Sequence, residues 1–116
     1  MAQTVSLKPI GQSQVLSVAN ANAGPITLAA FSDTEPVNFA AFLNTGATIV
    51  AVQMGQKGTT PAATFPAVGT PSNCFILPAA MQMPIVVSTP RGPFDVNMFG
   101  SAAGPSLVYA WPVGPQ

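Results

Sequence analysis

Asp33 and Glu35 are the only carboxylates close together in the chain. General acid–base catalysis needs two carboxyl groups on opposite sides of a bound bond, with pKa values driven apart. Two residues apart on extended backbone, Asp33 and Glu35 point to opposite faces. Pro36 follows them at once, so the expectation is a solvated turn. Ser6 and Lys8 share a strand face, as a Ser–Lys nucleophile would need, but an exposed strand offers nothing to depress the lysine pKa. Metal binding requires clustered His, Cys or carboxylate ligands, and the chain has no histidine, one cysteine and three carboxylates. That cysteine, Cys74, has no disulfide partner. It precedes Phe75-Ile76-Leu77, which makes it a small buried hydrophobe rather than an activated thiol. Lys8, Lys57 and Arg91 are too scattered to displace counterions from phosphate. No phosphate-cradling loop is present either, because no helix follows a Gly-rich turn. The inventory points to a non-enzyme with no cofactor, no metal and no nucleic-acid partner.

What remains is binding chemistry. Tyr109 and Trp111 fall on one strand face and are suited to stack on a sugar or to anchor a protein interface. Core packing near the C-terminus is the plainer reading of the pair and the one preferred. Met54, Met81, Met83 and Met98 are adaptable fillers of a core or a contact surface, with Met81-Gln82-Met83 beside Pro84 a candidate interface loop.

The elements that must position these residues are strands. Thirteen prolines punctuate the chain, and helix interiors reject proline at about 3 kcal/mol each. The longest proline-free interval, 37 to 60, is itself broken by Gly46, Gly55 and Gly58. Apolar–polar alternation marks strands at Thr4–Lys8, Gln14–Asn20, Ile26–Phe31, Asn38–Leu43, Ala47–Met54, Asn73–Leu77, Met83–Thr89, Phe94–Phe99 and Leu107–Val113. Asn22-Ala23-Gly24-Pro25 reads as a turn. Asn38–Leu43 and Ala47–Met54, joined by Asn44-Thr45-Gly46, read as a hairpin. Both of its faces are apolar, so something should cover both. In Phe94–Phe99, Phe94, Val96 and Met98 share a face while Asp95 and Asn97 face solvent. Residues 55 to 72 form a long Gly/Pro/Thr loop whose tail, Pro61–Val68, could lie as an arm over a neighbour. About nine short strands at this spacing predict a single all-β domain over residues 1–116, an antiparallel β-sandwich or jelly-roll-like barrel.

Only 5% of the residues are charged, the formal net charge is zero, and 48% are hydrophobic. Soluble domains carry about 25% charge, and free monomers keep a charged surface to resist self-association. A surface this poor in charge fits an assembly component covered by partners or by copies of itself. A small polar monomer is the plain alternative. No basic n-region or apolar h-region marks a signal peptide. The uncharged run from Pro36 to Gly55 is interrupted by Asn38, Asn44 and Gln53 and reads as two strands rather than a membrane span. The expectation is cytoplasmic synthesis with no membrane partner. The candidate contact residues are Phe39, Phe42, Val50, Val52, Met54, Phe65, Met81, Met83, Tyr109 and Trp111.

The stretch Phe99-Gly100-Ser101-Ala102-Ala103-Gly104-Pro105-Ser106-Leu107-Val108-Tyr109 resembles small proteins of tailed-bacteriophage structural modules. So does Phe75-Ile76-Leu77-Pro78 with the downstream Met83-Pro84-Ile85-Val86-Val87. The resemblance spans roughly residues 38 to 114 and is to virion accessory components, including capsid decoration or cement proteins. It implies a compact β-sandwich or jelly roll that binds the major capsid protein across capsomer junctions as a dimer or trimer, on the virion surface. It transfers no binding residue, and a tail or head–tail junction role is equally implied. Outside that class, the aromatic pair keeps a carbohydrate-binding module open.

Overall fold

A computed structural model describes residues 7–32, 37–90 and 93–115. The strands are β1 (Leu7–Pro9), β2 (Gln14–Val18), β3 (Asn22–Leu28), β4 (Phe39–Asn44), β5 (Val50–Gln56), β6 (Phe75–Leu77), β7 (Ile85–Ser88), β8 (Phe94–Gly100) and β9 (Ser106–Pro115). They form two antiparallel sheets: sheet A, in the order β1-β9-β4-β7 with β2 also on β9, and sheet B, in the order β3-β8-β5-β6.

The pairing is nested. β2 pairs with β9, β3 with β8, β4 with β7 and β5 with β6, while β4–β9 and β5–β8 knit these pairs into the sheets. This is the chain path of a jelly roll, a long antiparallel ribbon wrapped on itself into two facing sheets.

That path overturns the expected hairpin. β4 lies in sheet A and β5 in sheet B, so the two do not pair with each other. The segment between them is an arch organised by the buried Asn44. Its amide donates to the Thr48 carbonyl at 2.8 Å and the Pro78 carbonyl at 3.0 Å, and its Oδ1 accepts from the Gly46 amide at 3.0 Å. The turn expected at Asn22–Pro25 belongs instead to β3, as a register shift between Ala23 and Ile26. Gly24 there has φ +113°, a conformation that side chains other than glycine's rarely adopt.

The core lies between the sheets. Leu16, Val18, Ala40, Phe42, Val108 and Ala110 come from sheet A; Leu28, Val50, Val52, Leu77, Phe94, Val96 and Met98 come from sheet B. Phe75 packs edge-on to Phe42 at 5.5 Å. Phe42, Val50 and Val52, singled out as contact residues, are therefore core residues with 0% exposure. Met54 and Met81 are half-buried against the same core.

Candidate functional site

The two sheets differ in what covers their outer faces. On sheet B the segment after β5 folds back over the strands. Asp95 Oδ1 accepts from the Thr27 hydroxyl at 2.5 Å and Oδ2 from the Gly58 amide at 2.8 Å. The Asn97 amide donates to the Pro61 carbonyl at 2.8 Å, and Asn22 Oδ1 accepts from the Ala63 amide at 3.0 Å. Phe65 meets Phe99 edge-on at 6.0 Å. The segment expected to reach over a neighbour is thus a strap on its own sheet, and its own Ala63 is buried.

The same strap explains a second departure. Phe94, Val96 and Met98 do face the core, but Asp95 and Asn97 are buried rather than solvated. Asp95 is the only charged side chain buried among the described residues. The Thr27 hydroxyl and the Gly58 amide, with a further contribution from Lys57, hold its carboxyl below the ordinary 3.8, against the opposing effect of burial. Cys74 is half-buried under the strap, its thiol donating to Gln53 Oε1 at 3.4 Å and accepting from the Thr64 amide at 3.4 Å. It is a polar participant there rather than the fully buried hydrophobe expected.

On sheet A no described segment straps the outer face in this way, and that face is exposed in part, Val113 on it being only 4% exposed. Register assigns its residues: Phe39, Ala41 and Leu43 on β4 lie across from Val113, Trp111 and Tyr109 on β9. Val15 and Ser17 on β2 pair with Tyr109 and Leu107, and Val86 and Ser88 on β7 pair with Ala41 and Phe39. None of these side chains is charged. Val15, Val86 and Leu107 are 52%, 43% and 45% exposed, and Phe39 and Tyr109 are each 37% exposed. Ala41 is covered, lying between Trp111 and Val86 across the strands.

A hollow of about 440 Å³ opens on this face, lined by Pro9, Gly11, Ser13, Leu43, Tyr109 and Trp111. Strand alternation puts the small inward residues of β9, Val108 and Ala110, in the core. Tyr109 and Trp111 therefore point outward into the hollow, contrary to the core reading preferred for them. A second hollow, of about 310 Å³, is lined by Gln12, Gln14, Thr27, Ala29, Ala30 and Phe31.

Of the ten candidate contact residues, the structure brings Phe39, Tyr109 and Trp111 together on the outer face of sheet A. Phe65 belongs to the strap and is half-buried with its ring edge-on to Phe99, and Met83 is 75% exposed before β7. Sequence reading missed Val15, Leu43, Val86 and Leu107. For Leu43 the signal was present, because β4 is apolar on both faces, but it was assigned to a hairpin rather than to a central strand.

Asp33, Glu35, Arg91 and Ser6, and the start of the strand expected at Thr4, lie outside the described residues. Among the described residues no group of three or more His, Cys, Asp or Glu side chains could hold a metal ion, and no helix is long and apolar enough to cross a membrane. Every buried side-chain nitrogen or oxygen among them has a hydrogen-bond partner. In comparison with known proteins, the chain matches no protein family, no curated protein and no solved structure.

Proposed function

We propose that this chain is a non-enzymatic structural subunit of a bacteriophage particle, a decoration or cement protein that stabilises the capsid shell. The observation that carries the reading is the uncharged, apolar outer face of sheet A, on which Val15, Val86, Leu107, Phe39 and Tyr109 are exposed among the described residues while sheet B carries its own strap. Contiguous exposed apolar surface on a small domain marks an interaction site, and this one belongs to a chain with 5% charged residues. The jelly-roll path supports the reading by analogy, since viral shell proteins use it, but that path also serves lectins and does not by itself fix a function. Mechanistically, each copy buries uncharged apolar and amide surface in the assembly. Repetition over a lattice turns a modest contact into a large total.

The test is the copy number of this chain relative to the major capsid protein in purified particles, by quantitative mass spectrometry. A simple ratio near one supports lattice decoration. A few copies per particle reassign the chain to the tail or head–tail junction, and absence removes the virion reading.

The Tyr109–Trp111 hollow favours a second reading, a carbohydrate-binding module in which the rings stack on a sugar face. Its test is glycan binding by calorimetry, with Trp111→Ala expected to abolish the signal.

A further inference from the structure

We infer that the strap on sheet B, residues 57–73, is a lid that opens as one unit while both sheets stay folded. The inference goes beyond the assembly reading and does not depend on it.

The strap is the connection from β5 to β6, and its two ends are clamped without its help. β5 pairs with β6 through Val50–Leu77, Ala51–Ile76 and Val52–Phe75, and it runs on along β8 as far as Gln56. Between those ends the backbone belongs to no strand. The bridge it makes, Ala67 to Thr70, lies within the segment itself. Lifting the strap therefore breaks no strand pairing of either sheet.

Its hold on the sheet runs through main-chain groups. The Gly58 amide donates to Asp95 Oδ2 at 2.8 Å, the Ala63 amide to Asn22 Oδ1 at 3.0 Å, and the Thr64 amide to Cys74 Sγ at 3.4 Å. The Thr60 and Pro61 carbonyls accept from the Asn97 amide at 3.3 and 2.8 Å. Asn22 belongs to β3, Asp95 and Asn97 belong to β8, and Cys74 directly precedes β6. Every anchor thus stays with the body when the strap lifts, and water takes over the bonds it gives up.

Apolar burial adds little to that hold. Of residues 57–73 only Ala63 is buried; Thr60, Phe65 and Ser72 are half-buried, and the rest are exposed. Segments with few buried apolar contacts open locally, at free energies below that of global unfolding. The hinge is a β-turn directly after β5. There the Thr59 amide donates to the Gln56 carbonyl at 3.0 Å, and the third residue, Gly58, has φ +87°, which glycine adopts freely.

The anchors are also bound to one another, which makes the strap a single unit. The Asn22 amide donates to Asn97 Oδ1 at 3.2 Å. The Ser72 hydroxyl donates to the Thr64 carbonyl at 3.0 Å and accepts from the Cys74 amide at 3.1 Å. Losing one bond loosens its neighbours, so the segment leaves whole. Open, it uncovers Asp95 and Asn97, which are 5% and 2% exposed beneath it, together with the Cys74 thiol.

The experiment is amide hydrogen exchange on the full chain at neutral pH, read by NMR over a series of urea concentrations. The Gly58, Ala63 and Thr64 amides should share one protection factor, at least about a hundredfold below that of the β5–β8 ladder amides. Their exchange should also respond less steeply to urea, because opening exposes less surface than global unfolding. Phe65→Ala removes the edge-on contact with Phe99 and should speed all three amides by about tenfold, the distant Gly58 included. Ser72→Ala, near the other end of the strap, should speed all three by one common factor.

Two results overturn the inference. In one, the three amides match the ladder amides in protection and urea dependence, so that the strap opens only when the whole chain unfolds. In the other, Phe65→Ala and Ser72→Ala speed Ala63 and Thr64 but leave Gly58 unchanged, so that the strap frays piece by piece.

Discussion

Asp95 keeps its charge because the Thr27 hydroxyl and the Gly58 amide both reach its carboxylate. Its folded pKa lies below the ordinary 3.8, so its stabilisation is fully present above that value and is lost as pH falls through the lower folded pKa. Asp95→Asn should therefore cost about 1–3 kcal/mol near neutrality. In urea titrations the difference from wild type should hold from pH 5 to 8 and shrink only at pH values below 3.8. A difference that instead grew on acidification would contradict the assignment. The alternation of Phe94–Phe99 in the sequence correctly named the core face of β8, but it could not show that Asp95 and Asn97 would be covered. Period-two pattern separates two faces of a strand; it carries no information about a segment that later folds across one of them. The same limit applied to Tyr109 and Trp111. Both faces of β9 are apolar, and choosing the larger side chains for the core reversed the true arrangement, in which Val108 and Ala110 face inward. Phe42 shows the converse error: with 0% exposure and Phe75 against its ring, Phe42→Ala should cost about 3–5 kcal/mol of folding stability. Its effect on assembly should follow only from that loss.

At the scale of elements, all nine strands were legible near their true positions, because proline and glycine punctuation confines regular structure to short extended runs. Their partners were not. Asn44-Thr45-Gly46 between two apolar runs is the local signature of a tight hairpin, and only the tertiary path sends β4 and β5 to opposite sheets. Asn44 is where the two readings part, since its side chain spans the arch to Thr48, Pro78 and Gly46. Asn44→Ala would leave those groups without their partner inside the fold. It should cost about 3 kcal/mol, read as a lower urea midpoint at unchanged slope. A loss within 0.5 kcal/mol, the range of ordinary surface substitutions, would show that water replaces the side chain and that the arch does not depend on it. The strap is the other element that local reading misplaced. Its length and composition signalled a functional loop, but its anchors, Asn22, Asp95 and Asn97, come from β3 and β8, far along the chain.

For the whole molecule, the charge deficit was the most informative feature of the sequence, and the outer face of sheet A gives it a location. On the proposed reading, association through that face is apolar, so raising sodium chloride from 0.1 to 1 M should leave binding to the particle unchanged or tighten it, as co-sedimentation with particles at the two salts would measure. Dissociation at high salt would mean that charges outside this face hold the assembly together. The nested strand order also bears on how such a chain is made. β1, β2 and β4 all bond to β9, and β3 and β5 both bond to β8. During synthesis from the N-terminus, most of the early strands therefore wait for their partners until the last third of the chain has left the ribosome. Folding is then a late and concerted event, and until that moment the apolar strands are surfaces a chaperone would hold.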